Sequence, residues 1–262
     1  MLWRCLATTG MVAGLLVGGG APAQADSTVT AQLRETNDSG VTGKATLTAT
    51  DDGGLKVVIH ARGLVPGAPH AQHLHGSTTG GHFMCPTSAD DTDGDGLLTN
   101  EEASGEYGTV FMALTTAGDA SADSGLAIDR MPVADDAGRV DYERTFSADE
   151  IPAGLVDQLS HVHIVQHGID VNGNGKYDLK GAGVSTFAQN LGVPDVPEEA
   201  TDPASCGVIT GAMAPTAPVG GIETGGGDAA PRGGEGPIAL LGVALLLISA
   251  AVVWRGRRPR RG

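Results

Sequence analysis

Between Val29 and Ile59 apolar residues recur at every second position, in three successive runs. Val29, Ala31 and Leu33 alternate with Thr30, Gln32 and Arg34. Ala45, Leu47 and Ala49 alternate with Thr46, Thr48 and Thr50, and Leu55, Val57 and Ile59 with Lys56, Val58 and His60. A strand turns successive side chains to opposite faces, so this period predicts three strands with one buried face each. Asn37-Asp38-Ser39-Gly40 and Asp51-Asp52-Gly53-Gly54 separate the runs with residues suited to tight reversals, which makes the strands consecutive antiparallel hairpins. Further strands are expected at 70–76, 108–115, 139–146, 161–167 and 205–211, and no stretch between them reads as a long amphipathic helix. Eight strands with long loops predict an all-β domain, an eight-stranded Greek-key barrel or sandwich.

The two ends are built differently. Residues 1–25 read as a secretory signal peptide: Arg4, an apolar run from Met11 to Val17, and a small-x-small site at Ala23-Gln24-Ala25. The β domain is expected over 26–212, followed by a flexible Gly- and Pro-rich stalk over 213–236. Pro237 to Trp254 carries no charge and is long enough for a short membrane-spanning helix, since a core of about 30 Å needs roughly 20 apolar residues. The arginines at 255, 257, 258, 260 and 261 then form a basic tail over 255–262 on the cytoplasmic side. The expected product is exported and single-pass, with its domain outside the cell. Ile222-Glu223-Thr224-Gly225 bears only a faint likeness to a sortase signal, without its Leu-Pro start, so simple membrane anchoring is preferred.

All 31 acidic residues lie between Asp26 and Glu235, against ten of the 16 basic ones, a net charge of −21 over that span. Such a surface excludes nucleic acid as a partner and suits cations. Cys5 leaves with the signal peptide. Cys85 and Cys206 remain as an even pair in an oxidising compartment, where a disulfide is the default. No Ser-His-Asp spacing or paired-carboxylate cleft suggests a hydrolase.

Histidines gather in two places. His73 and His75 stand two apart, next to His70, and on a strand they project from one face where they can share a metal. His161, His163 and His167 form a second group, again on one face of a regular strand, and His82 lies in the loop between. Neutral imidazole suits copper and zinc. His60 reads as an ordinary surface histidine.

Gly63-Leu64-Val65-Pro66-Gly67-Ala68-Pro69-His70-Ala71-Gln72-His73-Leu74-His75 resembles the signature of the copper/zinc superoxide dismutases, with one extra residue before His70. Ser205-Cys206-Gly207-Val208-Ile209-Thr210 is similar to that family's C-terminal motif, and Cys85 to its other cysteine. The resemblance spans about residues 28–212. It implies an eight-stranded superoxide dismutase-like barrel, a Cys85–Cys206 disulfide, and copper held by His73, His75 and His167, with His70 as a structural neighbour. His82 is a further candidate ligand, although it precedes Cys85 where the family's bridging histidine follows it. Two departures weigh against full equivalence. The family's zinc ligands have no counterparts, so zinc is not expected, and Pro203 stands where the family has an anion-guiding arginine.

Asp91-Thr92-Asp93-Gly94-Asp95-Gly96-Leu97-Leu98-Thr99-Asn100-Glu101-Glu102 fits an EF-hand loop, with acids at positions 1, 3 and 5, glycine at 6 and glutamate at 12. Calcium takes six to eight oxygens. Asp91, Asp93, Asp95, Glu102, the Leu97 carbonyl and Thr99 would supply them. Asp170, Asn172, Asn174 and Asp178 repeat the first half of the pattern. Gly181 occupies position 12, so this stretch is either a second calcium loop or a glycine-rich turn. Two functions follow: copper-dependent superoxide dismutation at the cell surface with a calcium-braced loop, or a non-catalytic module on the same fold that serves copper capture, adhesion or envelope structure.

Overall fold

The computed structural model describes residues 27–77 and 83–211. The expected signal peptide, stalk, membrane helix and basic tail lie outside the described residues, as does His82. Among the described residues no helix is long and apolar enough to cross a membrane.

The alternating runs are strands β1 (Thr28–Glu35), β2 (Thr42–Ala49) and β3 (Leu55–Arg62). Their registers set Val29 opposite Leu47, Ala31 opposite Ala45 and Leu47 opposite Val57, so that every apolar run faces the same side. The first reversal uses Asn37 and Asp38 at φ of 56° and 48°, a left-handed conformation these two residue types tolerate. The remaining strands are β4 (Gln72–Gly76), β5 (Thr109–Ala113), β6 (Arg139–Phe146), β7 (Val162–His167) and β8 (Pro203–Thr210). Two short helices interrupt them, α1 (Asn100–Tyr107) and α2 (Thr186–Asn190).

The strands form one antiparallel sheet in the order β5-β4-β7-β8-β1-β2-β3-β6. Leu33, Leu47, Ile59, Leu74, Met112, Val140, Ile164 and Ile209, one from each strand, meet in a single buried cluster. One face of eight strands reaches a common core only if the sheet curls, and the result is a half-barrel. Among the described residues no ladder joins the edge strands β5 and β6. Side chains bridge them instead: Tyr142 Oη donates to the Thr115 carbonyl at 3.0 Å, and Arg144 Nη1 donates to the same carbonyl at 3.0 Å.

Candidate metal centre

β4 and β7 are buried on both faces, unlike the first three strands. Leu74 and Ile164 enter the main core. By alternation His73, His75, His163 and Val165 lie on the opposite face. That face is covered by α1 and by the segment around the disulfide, where Leu98, Ala103, Tyr107, Val165 and Cys206 make a second, smaller apolar cluster.

The i, i+2 spacing sets His73 beside His75. His167 arrives from the neighbouring strand, its main-chain N–H donating to the Ala71 carbonyl at 2.8 Å, next to a register shift between Gln166 and His167. One nitrogen from each of the three rings lies within 4.8 Å of the other two. The ring centroids are 5.4 Å apart for His73 and His75, 5.0 Å for His73 and His167, and 5.6 Å for His75 and His167.

The other nitrogen of each ring meets a main-chain carbonyl. His73 Nε2 donates to Gly125 at 2.9 Å, His75 Nδ1 to Gly108 at 3.0 Å, and His167 Nδ1 to Thr201 at 2.6 Å. A carbonyl only accepts, so these nitrogens carry the protons and the hydrogen-bond network assigns the tautomers. His73 is left with an Nδ1 lone pair, and His75 and His167 with Nε2 lone pairs. His73 Nδ1 is buried without a hydrogen-bond partner, and the Nε2 atoms of His75 and His167 face each other at 3.4 Å. Burial, reinforced at His73 and His75 by the neighbouring rings, favours the neutral imidazoles. It holds His73 well below the usual histidine range, His75 at about 3 and His167 at about 4. Buried lone pairs turned toward one another leave acceptors unmet, and a cation meets all three at once. The residues present therefore fit a metal ion, and a set of neutral imidazoles suits copper or zinc.

The other histidines separate by position. His70 is fully buried behind the site, with Nδ1 2.9 Å from the His167 carbonyl oxygen and Nε2 3.2 Å from that of Val65. His163 sits opposite His75 and its Nδ1 is buried and unpartnered, but it stands outside the three-nitrogen group. His161 is exposed in a 3-10 turn, because β7 begins only at Val162. His60 is exposed on β3 and meets Asp141 at 2.6 Å. Cys85 and Cys206 are joined by a disulfide across 121 positions.

The acidic loop brings carboxylate oxygens of Asp91, Asp93 and Asp95 within 4.8 Å of one another. Asp91 accepts from the N–H groups of Gly94 and Gly96 at 2.8 and 2.9 Å. Glu102 accepts from the N–H groups of Thr92 and Thr99 at 2.8 and 3.0 Å, closing a capping box at the start of α1. In the second loop Asp178 accepts from the side-chain amides of Asn172 and Asn174 at 3.2 and 2.7 Å and lies 3.4 Å from Lys176 Nζ. Asp170 accepts from the N–H groups of Asn174 and Gly175 at 3.0 and 2.6 Å.

Sequence reasoning passed over several neighbours. Tyr107 packs its ring 4.4 Å from that of His75, and burial, with Asp202 nearby, raises its hydroxyl above the usual tyrosine range. Asp202, next to the Thr201 carbonyl, is fully buried with both carboxyl oxygens unpartnered. Burial, with Glu198 beside it, pushes its carboxyl up to about 10. His73 and His75 form the floor of a cleft of about 600 Å³, whose charged lining residues are Glu101 and Asp123.

No protein-family model matches the chain. No curated protein matches it either. Among solved structures, Candida albicans superoxide dismutase 5 with Cu(II) is similar at 17% identity and a TM-score of 0.37, covering 71% of this chain and 92% of that one. A mutant of the same enzyme gives 16% identity and a TM-score of 0.37, covering 72% and 91%. The clock protein EA4 gives 16% and 0.36, covering 72% and 98%. At such identities and superpositions the likeness assigns neither ligand nor activity to this chain.

Proposed function

We propose that this protein is an exported surface module of superoxide dismutase-like type that holds copper at His73, His75 and His167. The observation that carries the reading is the set of three neutral rings, each with one N–H fixed on a main-chain carbonyl and a lone pair turned inward. Copper there supplies a one-electron couple able to oxidise one superoxide to oxygen and reduce another, with two protons, to hydrogen peroxide. The chain's own part is to orient the rings through Gly108, Gly125 and Thr201, to keep them unprotonated by burial, and to cover one side with Tyr107. His82 is proposed as a further ligand from outside the described residues.

Calcium at Asp91, Asp93, Asp95 and Glu102, with the Leu97 carbonyl and Thr99, is part of the same reading. The convergence of three carboxylates and the loop's twelve-residue pattern support it. The second loop, Asp170 to Asp178, is proposed as a hydrogen-bonded turn. Copper capture without turnover is the alternative, favoured by a cleft lined by carboxylates with no lysine or arginine.

The test is Cu(II) loading of the purified protein, read by electron paramagnetic resonance. One copper per chain with several coupled nitrogens is expected, and the signal should be lost in His73→Ala and in His167→Ala. Copper that binds weakly and ignores both substitutions refutes the reading. Given a stoichiometric signal, superoxide decay rates separate turnover from capture.

A further inference from the structure

The metal-facing histidines sit beneath an unusual surface. Val110, Leu126, Phe187 and Val193 wall the cleft above His73 and His75. A smaller arm of about 130 Å³ runs past the same four residues to His167. At the mouth Ile128, Leu191 and Val193 are 43%, 59% and 40% exposed, although most large apolar side chains of the domain are buried. Exposed apolar side chains gathered round a concave site mark a place where an apolar ligand is covered.

The charges point the same way. The charged side chains of the cleft, Glu101 and Asp123, are both acidic. Arg130, close by in the chain, is turned away, its guanidinium donating to the carbonyls of Ala117 and Asp119 and to Ser124 Oγ. A small anion on its way to the metal sheds its hydration shell among apolar walls and passes two carboxylates, with no lysine or arginine among the described lining residues to offset them. An uncharged ring avoids both costs and buries its faces against the walls. A volume of about 600 Å³ lies in the range of small-molecule sites, which pair apolar walls with a few polar anchors.

We infer that the cleft admits an uncharged, aromatic nitrogen-donor molecule to the metal in preference to small anions. The inference rests on the copper-capture alternative above, not on turnover of superoxide, itself a small anion, and names the ligand class of that centre.

The test uses the Cu(II)-loaded protein, titrated with 4-phenylimidazole, imidazole and azide and followed by electron paramagnetic resonance and visible absorption. 4-Phenylimidazole is expected to bind at least tenfold more tightly than imidazole, and azide more weakly than either. Leu191→Ser combined with Val193→Ser, both exposed at the mouth, should reduce the phenyl preference to threefold or less at unchanged copper stoichiometry. Glu101→Gln with Asp123→Asn should strengthen azide binding. Azide binding tighter than 4-phenylimidazole overturns the inference, and so does a phenyl preference untouched by the mouth substitutions. A copper spectrum that answers to none of the ligands also overturns it, since the open position is then filled from within the chain. Failure to take up copper at all brings down the copper reading first, an outcome distinct from these.

Discussion

Replacing Asp202 by Asn should stabilise the metal-free protein, and the gain should grow with pH. The Asp202 carboxyl has no exposure, and burial, with Glu198 beside it, pushes it up to about 10 from an ordinary value of 3.8. Between those values the folded chain keeps a proton that the unfolded chain has released. Stability therefore falls as pH rises through that window, by about 1.4 kcal/mol per unit. From pH 4 to pH 7 this amounts to about 4 kcal/mol, present as stability at the acid end and lost toward neutrality. Asparagine has nearly the same shape and no charge to suppress, and its amide can donate to the neighbouring Glu198. It is as poorly partnered as the protonated acid at worst, so the variant should match the parent near pH 4 and exceed it by about 2–4 kcal/mol at pH 7. Urea denaturation of both proteins in chelator, at pH 4.5, 7 and 8.5, measures the difference directly, because contributions from the other groups cancel. A variant that is less stable than the parent at pH 7, or a difference that stays flat with pH, would show Asp202 ionised and satisfied, and the reasoning would fail.

Gly168→Ala should cost about 2–4 kcal/mol in thermal or urea unfolding. Gly168 has a φ of +107°, and an added Cβ would collide with Tyr177 Oη and stand 2.9 Å from His70 Nδ1; full stability in the variant would refute the packing. Reducing the Cys85–Cys206 bond, which closes a separation of 121 residues, should lower stability by about 2–5 kcal/mol, and an unchanged urea midpoint in dithiothreitol would refute that estimate. Copper uptake should persist to about pH 5, where an ordinary imidazole is mostly protonated. His75 and His167 stay neutral down to about 3 and about 4, so a binding midpoint near pH 6.5 would show the three rings to be solvated.

β1, β2 and β3 were legible because a half-buried strand writes its two faces into alternate positions, whereas β4 and β7, buried on both faces, carry no such alternation. The pairing of His73 with His75 was legible from their i, i+2 spacing. His161 was grouped with His163 and His167 by parity, but parity counts only inside a strand, and a turn holds residue 161. The seam between β5 and β6 left no local pattern, since Tyr142 and Arg144 reach a carbonyl 27 and 29 positions away. Asp202 looked like one more acid in an acidic chain, and nothing beside it in sequence marks it as buried. The cleft was equally silent: Val110 comes from β5, Leu126 from the loop before β6, and Phe187 and Val193 from α2 and the turn after it, and only the fold gathers them.

The layer behind the three histidines is main chain, and this shapes what the site tolerates. Gly108, Gly125 and Thr201 contribute carbonyls, so the side chain of Thr201 can change without altering the tautomer of His167. Displacement of the backbone cannot be absorbed in that way, and the fold fixes it accordingly. Thr36 Oγ1 donates to the Pro203 carbonyl at 2.5 Å, Asn37 Nδ2 to the same carbonyl at 3.0 Å, and Ser39 Oγ to the Ala204 carbonyl at 2.6 Å. Asn37 Nδ2 also reaches the Leu98 carbonyl at 2.9 Å, just before α1, the helix that ends beside Gly108. One reversal between β1 and β2 thus braces both the start of β8, two residues past the carbonyl that orients His167, and the helix that leads to the carbonyl orienting His75. Asn37→Ala removes the shared donor of those two bonds at once. Its effect on the copper spectrum should therefore exceed that of Ser39→Ala, which loosens the β8 side alone, and equal effects would place the control of the rings elsewhere.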